Sequence, residues 1–258
     1  MYLAGLVIVI FSLLIWVFLF YQKNLMTHIA HAGGGIDGHA YTNTTEAFIE
    51  NYHQGFRVFE FDINFYDTQF VALHTTEDVE KITPERLKDN KIKTVINALG
   101  ASGYTLLFLE DVIKFAKEYS DITIIFDVKN TYTNRTTIFD EIHRLMMLYK
   151  VNQEQIVVQV FNSEEALYAQ KYFHRLLYVI GRVKKNELFE FIKYLKRNDI
   201  KLASIDYSEK RFIVLLSLYR ALFFRELNII PYTINDKKER LFFYTLGINR
   251  FFTDQLSP

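Results

Sequence analysis

Val58-Phe59-Glu60-Phe61-Asp62 is an apolar run with an acid at every second position of its second half. Side chains alternate between the two faces of a strand, so Glu60 and Asp62 point one way and Phe59 and Phe61 the other. Carboxylates that end an apolar strand belong at the C-terminal rim of an α/β barrel, where such folds build their sites. Working outward, seven more runs of four to six residues read as strands: His28–His31, Ile122–Asp127, Ile156–Val160, Leu176–Ile180, Leu202–Asp206, Ile229–Tyr232 and Arg250–Thr253. Helical patterns follow most of them, at Thr44–Gln54, Thr136–Tyr149, Ser163–Phe173, Lys185–Arg197, Glu209–Leu227 and Lys237–Leu246. Strands alternating with helices imply parallel β-α units, and eight of them predict a TIM-type (β/α)8 barrel. An open doubly wound sheet is the structural rival, but its Gly-x-Gly-x-x-Gly turn is absent. Phe70 to Tyr119 breaks the rhythm and reads as one more short strand followed by an inserted segment with helices.

A chain of 258 residues, half of them hydrophobic and 16% aromatic, suits one large domain of this class. The formal net charge is zero and no long basic run appears, which argues against a nucleic-acid partner. The absence of cysteine excludes disulfides, thiolate nucleophiles and cysteine metal sites. Tyr2 to Tyr21 carries no charge and is rich in Leu, Ile, Val and Phe. A helix of about 20 residues spans the roughly 30 Å hydrocarbon core of a bilayer. The segment therefore predicts one N-terminal transmembrane helix, an anchor in residues 1–23 ahead of a barrel in residues 24–258. A cleaved signal peptide would start with basic residues and end at a small-residue site, whereas this run begins Met1-Tyr2 and ends Tyr21-Gln22-Lys23. The expected location is a membrane, by a single-pass anchor. Lys23 alone leans toward a cytoplasmic barrel, so the side of the membrane stays open.

Polar residues sit at the ends of the predicted strands. His31 ends the first and is followed by Ala32-Gly33-Gly34-Gly35; His74 ends the run Phe70–Leu73; Asp127 and Lys129 end Ile122–Phe126 with period two. Glu60, Asp62 and Asp127 offer hard oxygen ligands, suited to one divalent cation, Mg²⁺ or Ca²⁺. Two histidines nearby supply proton exchange near neutral pH, and a lysine can neutralise an anionic oxygen. A cation, a base and an acid are what phosphodiester cleavage needs. Each piece alone has a plainer reading: a core histidine, a solvated strand rim, a loop, a surface ion pair. Their shared place, at strand ends in one predicted barrel, gives them weight together.

In this order, His31-Ala32-Gly33-Gly34, Asn43-Thr44, Glu60-Phe61-Asp62, His74, Asp127-Val128-Lys129, Pro231-Tyr232-Thr233-Ile234-Asn235, Gly247-Ile248 and Thr253-Asp254 resemble the glycerophosphodiester phosphodiesterase family over about Ile29 to Gln255. The resemblance implies a TIM barrel, a divalent metal and hydrolysis of a phosphodiester next to a free hydroxyl, often through a cyclic phosphate. It implies His31 and His74 as the acid-base pair and Glu60, Asp62 and Asp127 as metal ligands. It also implies Lys129 and Asn43 at the substrate. Arg182, after the fifth predicted strand, is a further substrate-binding candidate read from position alone. The sequence departs from the family pattern at Ala32, where an arginine is usual, at Thr75, where an aspartate is usual, and at Tyr232, where a tryptophan is usual. Asp127 stands in place of a glutamate, and Asp127-x-Lys129 is also similar to the spider-venom phospholipase D enzymes. Two alternatives follow: a phospholipase acting on lipid phosphodiesters, and an inactive membrane-anchored binding protein.

Overall fold

The computed structural model describes residues 27–84, 86–89, 91–129, 134–181 and 188–255. Its strands are β1 (Thr27–Ala30), β2 (Val58–Tyr66), β3 (Gln69–Ala72), β4 (Thr123–Val128), β5 (Ile156–Val160), β6 (Leu176–Val179), β7 (Leu202–Asp206), β8 (Asn228–Tyr232) and β9 (Arg250–Thr253). All but β3 run parallel, in the order β8-β7-β6-β5-β4-β2-β1-β9. β8 and β9 pack side by side without a ladder, and Ile234 N–H donates to the Phe252 carbonyl at 2.8 Å across the seam. The barrel of eight parallel strands is thus nearly closed, as the alternation of strands and helices predicts. Among the described residues no helix is long and apolar enough to cross a membrane, and the expected anchor lies outside them.

Two apolar layers explain why the strands hold this form. Inside, Ile29, Ile125, Val157, Leu177, Leu202, Ile230 and Phe252 fill the barrel, one from each of seven strands. Outside, Phe59 and Phe61 are fully buried against Phe48, with ring centroids 4.7 and 6.3 Å away. Phe48 lies on α1 (Thr45–His53), which starts where the Thr44 side chain accepts the Ala47 N–H. Truncating one such buried phenylalanine typically costs about 3–5 kcal/mol.

The outer ring continues through α4 (Leu109–Glu118), α5 (Arg135–Tyr149), α6 (Ser163–Ala169), α7 (Leu188–Arg197), α8 (Lys210–Phe223) and α9 (Lys237–Thr245). Several are shorter than their apolar patterns suggest. α6 stops at Ala169 rather than Phe173, and α8 at Phe223 rather than Leu227. Phe173 and Leu227 stay buried as loop residues that seal the barrel's edge, so apolar pattern alone overran both helices.

The irregular stretch after β2 resolves into a hairpin and a lobe. β2 extends four residues beyond Asp62, and β3 returns antiparallel along that extension. The two-residue turn Asp67-Thr68 has positive φ at both positions, +44° and +72°, the mirror-image turn that matches strand twist. Above it α2 (Thr76–Ile82) and α3 (Ile92–Ala101) enclose a small separate core around Val71, Leu73, Val79, Val95 and Leu99.

One core residue breaks the apolar rule. His28 on β1 is 2% exposed, packs against Phe251 at 4.7 Å, and neither ring nitrogen has a hydrogen-bond partner among the described residues. Burial, then the Arg240 charge, lowers its pKa from 6.5 to about 4. The folded protein therefore holds His28 neutral, while the unfolded chain gains a proton as pH falls through 6.5. This contribution to stability is complete above that pH and is lost progressively toward pH 4. His28→Leu is expected to raise the unfolding temperature, with an advantage over wild type that widens between pH 6.5 and 4. Thermal unfolding across that range tests it, and a pH-independent difference would contradict it.

Candidate active site

Register brings the three carboxylates together. β2 and β4 are parallel neighbours with Asp62 opposite Asp127 and Glu60 opposite Ile125. Residues two apart share a strand face, so Glu60 joins the two aspartates inside the C-terminal mouth. One oxygen from each lies within 4.8 Å of the others. Glu60 and Asp62 are each 1% exposed.

Asn43 explains how Asp62 keeps its place. The β1 ladder stops with Ala30 opposite Phe59, below Asp62. Asn43 takes over: its Oδ1 accepts the Asp62 N–H at 3.1 Å and its Nδ2 donates to Asp62 Oδ2 at 2.9 Å. Asn43 is fully buried and does not line the cleft. Its side chain braces a carboxylate from beneath. Nearby, the Ala32 N–H donates to Glu60 Oε2 at 2.8 Å. The glycines after it allow close packing. A Cβ on Gly35 would lie 2.1 Å from the Asp254 carbonyl oxygen, and one on Gly34 would lie 2.4 Å from the Asn51 side chain.

Each histidine has its own carboxylate. His31 Nδ1 lies 2.8 Å from Asp254 Oδ1, and Asp254 is held in turn by Asn235 Nδ2 at 2.8 Å. His31 Nε2 lies 3.9 Å from Glu60 Oε2. Burial alone would lower the His31 pKa, but the Asp254 hydrogen bond and the charges of Glu60, Asp254 and Asp62 push it up to about 9. His74 arrives by the hairpin. Leu73 N–H donates to the Asp62 carbonyl at 2.8 Å, which sets the next residue beside the acid cluster. His74 Nδ1 lies 2.7 Å from Asp78 Oδ2, and Thr75 both caps α2 and donates to the same oxygen. Burial opposes the Asp78 charge, yet hydrogen bonds from His74, Lys81 and Thr75 hold its carboxyl below the usual range. Tyr41 sits between the two imidazoles, edge-on to His31 at 4.7 Å and tilted over His74 at 5.1 Å. Burial and the surrounding carboxylates push its hydroxyl up to about 12, so it stays protonated.

Lys129 Nζ lies 2.8 Å from Asp62 Oδ1 and 2.5 Å from Asp127 Oδ2. Burial opposes its charge, but Asp62, Asp127 and Glu60 raise its pKa. Lys129 also offsets the effect of burial on Asp62, which is held below its ordinary value. Glu60 is pushed up, by burial and then by the Asp62 charge.

Two observations fit a divalent cation here. Three carboxylates and one ammonium sum to −2, the charge such an ion offsets. Asp127 Oδ1 is also buried with no hydrogen-bond partner among the described residues, an acceptor left for a ligand. Oxygen donors suit Mg²⁺ or Ca²⁺.

His31, Glu60, Asp62, His74, Asp127 and Lys129 line one cleft of about 210 Å³, while Arg182 lies outside the described residues. Sequence reasoning assigned no role to Asp254, Asn235, Asp78 or Tyr41. Asp254 follows the last strand, where the strand-end rule already pointed. Asp78 stands three residues after Thr75, a helix-capping spacing. Nothing in the local sequence marked Tyr41.

No family model and no curated protein matches the chain. Solved structures do. A candidate glycerophosphoryl diester phosphodiesterase from Silicibacter pomeroyi is 14% identical with a TM-score of 0.68, over 89% of this chain and 90% of that one. A phosphodiesterase from Oleispira antarctica in complex with the product sn-glycerol-3-phosphate is 16% identical with a TM-score of 0.66, over 90% and 95%. A glycerophosphodiester phosphodiesterase from Thermotoga maritima is 16% identical with a TM-score of 0.62, over 89% and 94%. At these identities the likeness establishes the shared barrel.

The brace at Asn43 has a measurable consequence. Asn43→Ala should weaken divalent-cation binding by about 10- to 100-fold, the usual effect of removing a group that orients a metal ligand. Calorimetric titration with Mg²⁺ and Ca²⁺ reads this directly, and unchanged affinity in a folded variant would contradict it.

Proposed function

We propose that the protein is a metal-dependent phosphodiesterase that hydrolyses a glycerophosphodiester, or a similar phosphodiester with a neighbouring hydroxyl. One observation carries this reading: two histidines, each braced at Nδ1 by a carboxylate, line the same cleft as a three-carboxylate cation site and a lysine. The braces leave Nε2 of each ring for proton exchange. One imidazole takes the proton of the attacking hydroxyl and the other gives a proton to the departing alcohol oxygen. Attack by the neighbouring hydroxyl yields a cyclic phosphate, and water reopens it with the two roles exchanged. Glu60, Asp62 and Asp127 would hold the cation, which when bound polarises phosphoryl oxygens and offsets their charge. Lys129 is the one Lys or Arg among the described residues lining the cleft, so it meets the remaining phosphate charge. Gln159, Ser204, Phe161 and Tyr232 make the rest of the wall neutral, which suits an uncharged alcohol. The product complex of the Oleispira antarctica structure, with its fold shared along 90% of this chain, supports a phosphodiester substrate.

His31→Ala and His74→Ala should each lower turnover of a water-soluble glycerophosphodiester by about 10²- to 10⁴-fold with the fold intact. Chelation should abolish activity in wild type, and added Mg²⁺ or Ca²⁺ should restore it. Rates within a few-fold of wild type in both histidine variants would overturn the reading.

The same reading includes residues 2–21 as a membrane anchor. The chain begins β1 at Thr27, at the N-terminal end of the barrel strands. Five residues separate Tyr21 from Thr27, reaching at most about 3.5 Å each, so this end of the barrel stays near the bilayer. The catalytic cleft opens at the opposite end, away from the headgroups. Reconstituted enzyme should therefore cleave a soluble glycerophosphodiester in preference to an intact bilayer phospholipid. Preferential cleavage of the embedded lipid would favour the phospholipase alternative.

A further inference from the structure

The barrel has a second mouth, at the N-terminal ends of its strands and opposite the catalytic cleft. A cavity of about 290 Å³ opens there over an apolar floor that includes Ile125, Val157 and Ile230. Arg57, Arg175, Arg250 and one acid, Asp121, line its rim. The acid is already paired, since Arg57 Nε lies 2.7 Å from Asp121 Oδ2. Among the described residues, the Arg175 side chain donates only to the Glu154 carbonyl. Arg250 has no ion-pair or hydrogen-bond partner from its side chain among the described residues. Three arginines against one aspartate leave a charge of +2 at this opening. Burial, and then the neighbouring Arg175 charge, lowers the Arg250 pKa.

Two half-buried guanidinium groups with no anion between them destabilise a fold, and such uncompensated violations of local rules mark binding sites. A planar guanidinium pair fits the oxygens of a phosphate. The position of the opening indicates where that phosphate comes from. Thr27, the first residue of β1, lines the cavity, and the uncharged apolar run 2–21 ends six positions before it. Helices of a β/α barrel run opposite to its strands, so their C-terminal turns share this face. Leu222 and Phe223 at the end of α8 are 75% and 46% exposed, and Lys196 and Arg197 end α7 beside them. Exposed apolar side chains among cations suit a lipid headgroup layer.

We propose that the N-terminal mouth of the barrel binds the phosphate of an anionic membrane lipid through Arg175 and Arg250. The site is separate from the catalytic cleft and does not depend on the phosphodiesterase reading. It does rest on residues 2–21 lying in a bilayer, so flotation of the full chain with phosphatidylcholine vesicles is measured first. Thermal unfolding is then compared in phosphatidylcholine vesicles with and without phosphatidylglycerol. Wild type should gain about 2–4 °C from the anionic lipid, the shift that about 1 kcal/mol of stabilisation gives a domain of this size. Arg250→Gln should lose that gain, yet be at least as stable as wild type in neutral detergent, which offers Arg250 no phosphate. Arg197→Gln, exposed on the same face but outside the cavity, should keep the gain. If Arg250→Gln does not fold, Arg175→Gln and the charge-preserving Arg250→Lys serve instead, the first losing the gain and the second retaining part of it. Failure to float, equal stability of wild type in both vesicles, or equal loss in Arg197→Gln would overturn the proposal. So would the full gain from inorganic phosphate in neutral detergent, because the ligand would then be a free anion.

Discussion

Glu60, Asp62 and Asp127 crowd three carboxylate oxygens within 4.8 Å, in a place that water barely reaches. Like charges at such separation repel strongly when poorly solvated. Much of the barrel mouth answers that repulsion. Lys129 bridges the two aspartates, Asn43 holds Asp62 from below, and the Ala32 N–H meets Glu60. The adjacent rows of β2 and β4 make the crowding unavoidable, and a one-residue slip of β2 would turn Glu60 and Asp62 into the helix layer, away from Asp127. The histidines are organised around the same point, with Asp254 and Asp78 orienting them from outside.

The points where the sequence differs from the pattern it resembles have a physical setting. Thr75 stands where that pattern has an acid, and here Asp78 supplies a carboxylate to His74 from the first turn of α2. Ala32 stands where that pattern has an arginine, and its backbone N–H donates to Glu60, so no side-chain cation is added at that corner. On the proposed reading, a cleft with one fixed cation among the described residues would depend more heavily on a bound metal to meet phosphate charge. The aromatic ring of Tyr41 between the two imidazoles also narrows the mouth that a substrate must enter.

The barrel was legible because its strands are short apolar runs spaced by helical patterns, and Glu60-Phe61-Asp62 announced its two faces directly. Six of the eight singled-out residues meet in one cleft for the same reason, since strand ends converge in a barrel. The bracing contacts of Asn43 were not legible because its motif position says nothing of depth, and only the early end of the β1 ladder explains why Asp62 needs it. The turn Asp67-Thr68 lacks the Asn-Gly or Asp-Gly signature of its type, so the hairpin that delivers His74 looked like a break in rhythm. Arg250 appeared merely as the start of a strand. Its proximity to Arg175 depends on barrel closure, which no local pattern encodes.

The central claim is that the crowded carboxylates exist to hold one divalent cation. Anomalous diffraction from crystals grown with Mn²⁺ tests it most directly. The account predicts a single ion bonded to oxygens of Glu60, Asp62 and Asp127 at about 2.0–2.6 Å. An ion bound elsewhere, or none, with Lys129 still bridging Asp62 and Asp127, would contradict it.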